Sequence, residues 1–273
     1  MNDMRAKGEA VLIAAVELAR HHWRERLAAA YALGSLAHGG FSAVSDVDLG
    51  LVLSDPLHAD DATGVARLTD SVKTTRKPFA DRLSVFWGSA ASLSGAAPGG
   101  RFPPLDRVDL KKYGRLLAGR DVRDRVVSPS QRDVLIAGAE LALRRLATEE
   151  AIATLKHPAA LIGSDQKILT RMILWPVRFL FTARTGDVGR NDAAVEHFAA
   201  GRDGPSVVLV RLALDWRDAG PQPTDRQAIG AITAGLLPLY ECFLLDHEPR
   251  LRECDRVDLA DAFREWRHRL LDK

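Results

Sequence analysis

Two short apolar runs joined through a glycine-bearing turn constrain this chain more than any other feature. Residues 28–33 (Ala-Ala-Ala-Tyr-Ala-Leu) end at Gly34, and residues 47–53 (Val-Asp-Leu-Gly-Leu-Val-Leu) end at Ser54-Asp55-Pro56. Both have the length of strands rather than helices, and both are closed by turn-forming residues. Strand side chains alternate, so Val47, Leu49 and Leu51 belong to a core while Asp46 and Asp48 share the opposite side. The chain therefore leaves one buried strand at Gly34 and enters the next beside two carboxylates.

The flanking periodicities predict a compact α/β unit. Residues 9–27 read as a helix, with Val11, Leu12, Val16, Leu18 and Ala19 on its apolar face. Residues 60–77 read as a second helix, ending before Pro78. Residues 82–87 read as a third strand, followed by a small-residue loop through Gly100. After Pro103-Pro104, residues 109–117 are predicted helical. From Gln131 onward the periods are helical, over 131–155, 165–184, 191–200, 205–217, 225–247 and 257–271. The expected architecture is an α/β (α+β) domain with a small mixed sheet over residues 1–122, followed by an all-α helical domain over residues 123–273.

Composition excludes several classes. At 273 residues the chain buries an adequate core without disulfides. Thirty-eight basic and 36 acidic residues leave a net charge of +2, so no basic coat for non-specific nucleic-acid binding is expected. Cys242 and Cys254 are the only cysteines, and no Cys/His cluster has zinc-ligand spacing. The N-terminus lacks an apolar signal core, and the apolar run over 168–181 is broken by Arg171, Pro176 and Arg178. A cytoplasmic protein without a membrane span is expected.

The turn and the acids form a chemical constellation. Glycine permits a tight turn at Gly34. Ser35 offers a hydroxyl and an amide at the start of a short helix, a place for phosphate oxygens. Two carboxylates about 4 Å apart repel by roughly 4 kcal/mol at an effective dielectric of 20, a cost that a divalent cation removes. Such hard oxygen ligands suit Mg²⁺ or Mn²⁺. A third acid is expected on a neighbouring strand. Asp81, the only acid beside residues 82–87, is the candidate metal ligand and proton acceptor.

Gly34-Ser35, ten residues, then Asp46-Val47-Asp48 resembles the signature of the DNA polymerase β-like nucleotidyltransferase superfamily. The resemblance implies in-line attack by a hydroxyl on the α-phosphorus of a nucleoside triphosphate. It implies catalytic and metal-binding roles for Asp46, Asp48 and Asp81, and nucleotide binding at Gly34 and Ser35. The helical half is similar to the streptomycin/spectinomycin-type aminoglycoside adenylyltransferases around Thr185-Gly186, Ala193-Ala194 and Phe198. Asn191 stands where that family has a lysine that contacts nucleotide phosphates, with Arg190 beside it as the candidate replacement charge. That resemblance implies ATP as co-substrate and a small hydroxyl-bearing acceptor such as an aminoglycoside.

Other readings carry different expectations. A toxin-type enzyme acting on tRNA or protein would keep the chemistry and change the acceptor, but the scattered arginines form no basic stripe with aromatic platforms. A non-catalytic binding module would not need the intact Gly34, Ser35, Asp46 and Asp48. An antibiotic kinase needs a His-Gly-Asp loop, and His38-Gly39-Gly40 lacks the acid. His38 is expected to be solvated or near phosphate. His21, His22, His157 and His247 are expected at the surface. Trp87, Trp175, Trp216, Trp266 and Tyr240 are expected to pack in cores or between domains.

Overall fold

The computed structural model describes residues 2–271. Its contacts divide the chain into two compact units, Met1–Pro129 and Ser130–Lys273. The first contains α1 (Asn2–Trp23), β1 (Leu27–Leu33), α2 (Gly34–His38), β2 (Val47–Leu53), α3 (Asp61–Thr74), β3 (Leu83–Ser89), α4 (Ala90–Leu93), α5 (Pro104–Tyr113) and β4 (Arg115–Gly119). The strands form one mixed sheet in the order β3-β2-β1-β4. β1 pairs antiparallel with both β2 and β4, whereas β2 and β3 run parallel.

Strand alternation sorts the side chains into two cores. Ala30, Ala32, Val47, Leu49, Leu51, Leu83 and Val85 pack with Val11, Leu12, Val16 and Val65 from α1 and α3. Ala29, Tyr31, Leu33, Val52 and Phe86 face Leu93 and Leu110. Asp61 anchors the start of α3. Its carboxylate accepts from Trp23 Nε1 (2.9 Å), both Arg26 amino groups (2.9 and 2.8 Å) and the His58 amide (2.7 Å). Burial alone would raise its pKa, but these donors outweigh burial and hold it at about 2.

The predicted helix over 109–117 is corrected. The helix starts earlier, at Pro104, where proline's missing N–H costs nothing. It ends at Tyr113, and residues 115–119 instead form β4, paired with β1. A five-residue strand with only Ala118 fully buried carries too weak a period to be read locally. Tyr31 ties the following segment down: its hydroxyl donates to Asp121 (3.0 Å) and accepts from the Val122 amide (2.7 Å). Val122 and Val126 join the core beneath, which carries the first unit on to Pro129.

The second unit is all helical: α6 (Gln131–Leu146), α7 (Glu149–Lys156), α8 (Gln166–Thr185), α9 (Asn191–Ala199), α10 (Pro205–Asp215), α11 (Arg226–Glu253) and α12 (Val257–Leu271). The single helix expected over 131–155 is two, because Thr148 caps a new start by accepting from the Ala151 amide at 3.2 Å. α11 runs on past residue 247. It is also long and apolar enough, by length and composition, to cross a membrane, contrary to the expectation that no segment is. Here Ile232, Leu236, Leu239, Tyr240, Phe243 and Leu244 fill the helical core. Tyr240 donates to the Met172 carbonyl at 2.9 Å. His247, expected at the surface, is 1% exposed: it lies on the same stripe as Tyr240, Phe243 and Leu251 and stacks on Phe263 at 5.7 Å.

Candidate active site

β1 delivers the chain to Gly34 with φ +58°. A side chain at this position would be strained, and its Cβ would collide with Asp48 Oδ2. The glycine thus lets the turn pass directly beneath the Asp48 carboxylate. Ser35 is half-buried on α2. Gly39 and Gly40 take positive φ values of 95° and 80° and lead the chain away.

The loop from Gly39 to Asp46 is pinned rather than slack. Ser45 Oγ accepts from the Ser42 amide at 3.0 Å, and the Ser45 amide donates to the Ser42 carbonyl at 3.1 Å. Phe41 is buried and meets the edge of Phe79 at 5.2 Å. Arg82, at the foot of β3, donates to the Ala43 carbonyl. Arg5 of α1 donates to the Leu36 carbonyl at 3.1 Å. These ties set where Asp46 enters β2.

Asp46 and Asp48 are half-buried on either side of the fully buried Val47. Asp48 pairs with Leu33 across β1 and with Ser84 across β3. The turn and both acids therefore lie at one end of the sheet. Two carboxylates beside a turn that offers Ser35 fit a Mg²⁺ ion, which commonly takes one or two protein carboxylates and completes its shell with substrate phosphates and water.

Asp81 is not drawn into this pair in the same way. It is exposed, on a 3₁₀ turn (Ala80–Arg82) before the first residue of β3. Ser84, not an acid, occupies the β3 position in register with Asp48. Among the described residues, no three His, Cys, Asp or Glu side chains converge as a metal cage. A groove of about 560 Å³ does border β3, lined by Thr69, Lys73, Trp87 and Arg101, but none of Gly34, Ser35, Asp46 or Asp48 lines it.

The residue that sequence reasoning passed over is Asp109. It is 7% exposed on α5, and its Oδ2 accepts from the Gly34 amide at 2.5 Å. Its Oδ1 lies 3.6 Å from His38 Nε2. His38 also meets the edge of Tyr113 at 5.4 Å. Val108, Asp109 and Leu110 are all buried, so the helix is enclosed on more than one side here, and the buried acid needs a partner that the sequence alone does not name.

In the helical unit, Arg190 stands immediately before α9 without capping it through its side chain, and is clasped by Asp192, from Nε to Oδ1 at 3.0 Å and from Nη2 to Oδ2. Its guanidinium pKa is raised by that bond. Asn191 begins the helix. Several acids of this unit are engaged in structure: Asp165 caps α8, Glu140 pairs with Arg256 and Glu149 with Arg269. Arg217 is pushed the other way, its pKa lowered by burial and then by the neighbouring Arg178.

No family model matches the chain, and no curated protein matches it in sequence. Among solved structures it is similar to spectinomycin adenyltransferase AAD(9) from Enterococcus faecialis, determined with ATP and spectinomycin. The TM-score is 0.57 at 16% identity, covering 82% of this chain and 96% of the other. At that identity the likeness is one of fold: a small α/β domain followed by an all-α domain.

Proposed function

We propose that the chain is a metal-dependent nucleotidyltransferase that moves a nucleoside monophosphate, AMP from ATP, to a hydroxyl of a small molecule, with aminoglycosides the first acceptor class to test. One observation carries this reading: Gly34, in a left-handed turn, lies directly beneath Asp48, and Asp46 stands two residues away across a buried valine. The fold likeness to an enzyme solved with ATP and spectinomycin supports the same chemistry and acceptor class.

In this reading Asp46 and Asp48 hold Mg²⁺ or Mn²⁺, which when bound neutralises charge on the triphosphate. Gly34 and Ser35 seat the phosphates. The acceptor oxygen bonds to the α-phosphorus as the bond to pyrophosphate breaks, and the hydroxyl proton passes to a base. Asp81 is the proposed third acid and proton acceptor. Its neighbour Arg82 is tied to the acid-bearing loop through the Ala43 carbonyl, which links the start of β3 to the segment that carries Asp46. A cytoplasmic setting, where ATP is abundant, accords with this activity.

The test is transfer of label from ATP to a panel of aminoglycosides, total tRNA and cell lysate, with and without Mg²⁺. Asp46→Asn is expected to abolish transfer and leave the circular dichroism spectrum unchanged, and Asp81→Asn to lower the rate at least tenfold. Wild-type transfer by Asp46→Asn would sink the site assignment. Labelling of RNA alone would replace the small-molecule acceptor with a nucleic acid.

A further inference from the structure

We propose that Asp109 is a positioning residue for this site, clamping the two ends of α2 so that the Gly34-Ser35 turn is held beneath Asp48. The inference rests on the nucleotidyl-transfer reading for its kinetic consequence, but not for its structural one.

The geometry is specific. α2 is five residues long, too short to hold its own orientation by helical hydrogen bonding. Its first residue donates to Asp109 Oδ2 at 2.5 Å, and its last, His38, approaches Oδ1 at 3.6 Å. One carboxylate from α5 therefore spans the whole element. Both side chains of the second contact are largely sequestered from water, 12% and 10% exposed. The clamp acts through Gly34, the residue whose missing side chain makes room for Asp48. A displaced turn would move the phosphate-seating residues relative to Asp48, which β2 pairing fixes on both sides, and to Asp46, which stands just before that strand.

A carboxylate is required for both contacts. An asparagine retains one acceptor oxygen for the Gly34 amide, but it presents an NH₂ group in place of the second carboxylate oxygen that faces His38. The clamp thus predicts graded effects: small for His38→Gln, larger for Asp109→Asn, largest for Asp109→Ala.

The experiment has two independent arms on the full chain. In the first, the Gly34 amide is followed by ¹⁵N–¹H NMR and hydrogen exchange. Asp109→Ala, which removes the acceptor, is expected to move the resonance upfield and speed its exchange at least tenfold, and Asp109→Asn, which keeps a neutral acceptor, to shift both in the same direction by less. An unmoved amide with unchanged exchange would overturn the clamp, whether or not the protein is an enzyme. In the second, KM and kcat for ATP are measured. Loss of positioning for a group that binds phosphate is expected to raise KM about tenfold with kcat within twofold. A fall in kcat at constant KM would instead mark a smaller active fraction and overturn the positioning role. If wild type transfers no nucleotide, the proposed function fails while the first arm still decides the clamp. Should Asp109→Ala fail to fold, Asp109→Asn and His38→Gln decide both arms.

Discussion

Among single residues, the site depends on one atom that is absent. Gly34 takes φ +58°, and a methyl group there would meet the Asp48 carboxylate. Alanine in a left-handed conformation costs about 1–2 kcal/mol from backbone strain alone. Gly34→Ala is therefore expected to destabilise the fold by about 1–3 kcal/mol in urea unfolding and to eliminate nucleotide transfer. Gly95 provides the control. It has φ +78°, and the space its Cβ would enter is open for 4 Å around, so Gly95→Ala has the backbone cost without the collision. It should lose similar stability and keep transfer. Equal loss of transfer in both variants would show that Gly34 matters only as backbone.

Among the elements, α11 shows how a buried titratable group reports on packing. His247 is enclosed by Phe243 and Phe263, and its Nδ1 lies 3.1 Å from the Phe243 carbonyl. Burial pushes its pKa down to about 4, against the attraction of Asp246, while Arg250 and Arg184 add to the depression. In the unfolded chain the imidazole titrates near 6.5. Below that pH the unfolded state takes up a proton that the folded state refuses, so stability falls as pH drops from about 6.5 to 4. The full effect is on the order of 3 kcal/mol. His247→Phe preserves the aromatic packing and removes the proton site. Unfolding free energies measured by urea titration across pH 4–7 should then fall less steeply than in wild type, by about that amount. An identical acid slope in both proteins would show that His247 is already hydrated in the folded state. The helix on which it sits is long and apolar enough to cross a membrane, yet Ile232, Leu236, Leu239, Phe243 and Leu244 fill the helical core.

Across the whole molecule, the two units each have their own hydrophobic interior. The sheet buries a core on both of its faces, and the helices bury another around Phe243, Phe263 and Trp266. Ion pairs within the second unit, such as Arg256 with Glu140 and Arg252 with Asp261, join α12 and its preceding turn to other helices of that unit. Fragments spanning residues 1–129 and 130–273 are therefore each expected to show a cooperative thermal transition by circular dichroism. A fragment that melts without cooperativity would show that its core is incomplete alone.

Elements whose signal is local are legible in the chain before any packing is known. The strand–turn–strand around Gly34 and Asp46-Val47-Asp48 can be read because apolar alternation and turn residues act within about ten positions. The helical second half can be read for the same reason, and β2 and α12 match their predicted ranges. Partnerships between distant positions emerge only on folding. β4 exists because β1 offers it an edge, and nothing in residues 115–119 alone separates that outcome from a continued helix. Ser84 comes to lie beside Asp48, and Asp81 off the strand end, through the parallel register of β2 and β3. Asp109 reaches Gly34 across 75 residues of sequence because α5 packs over that face of the sheet. Local periodicity fixes which way a side chain points, whereas burial and pairing fix what it meets, and the latter is a property of the assembled core.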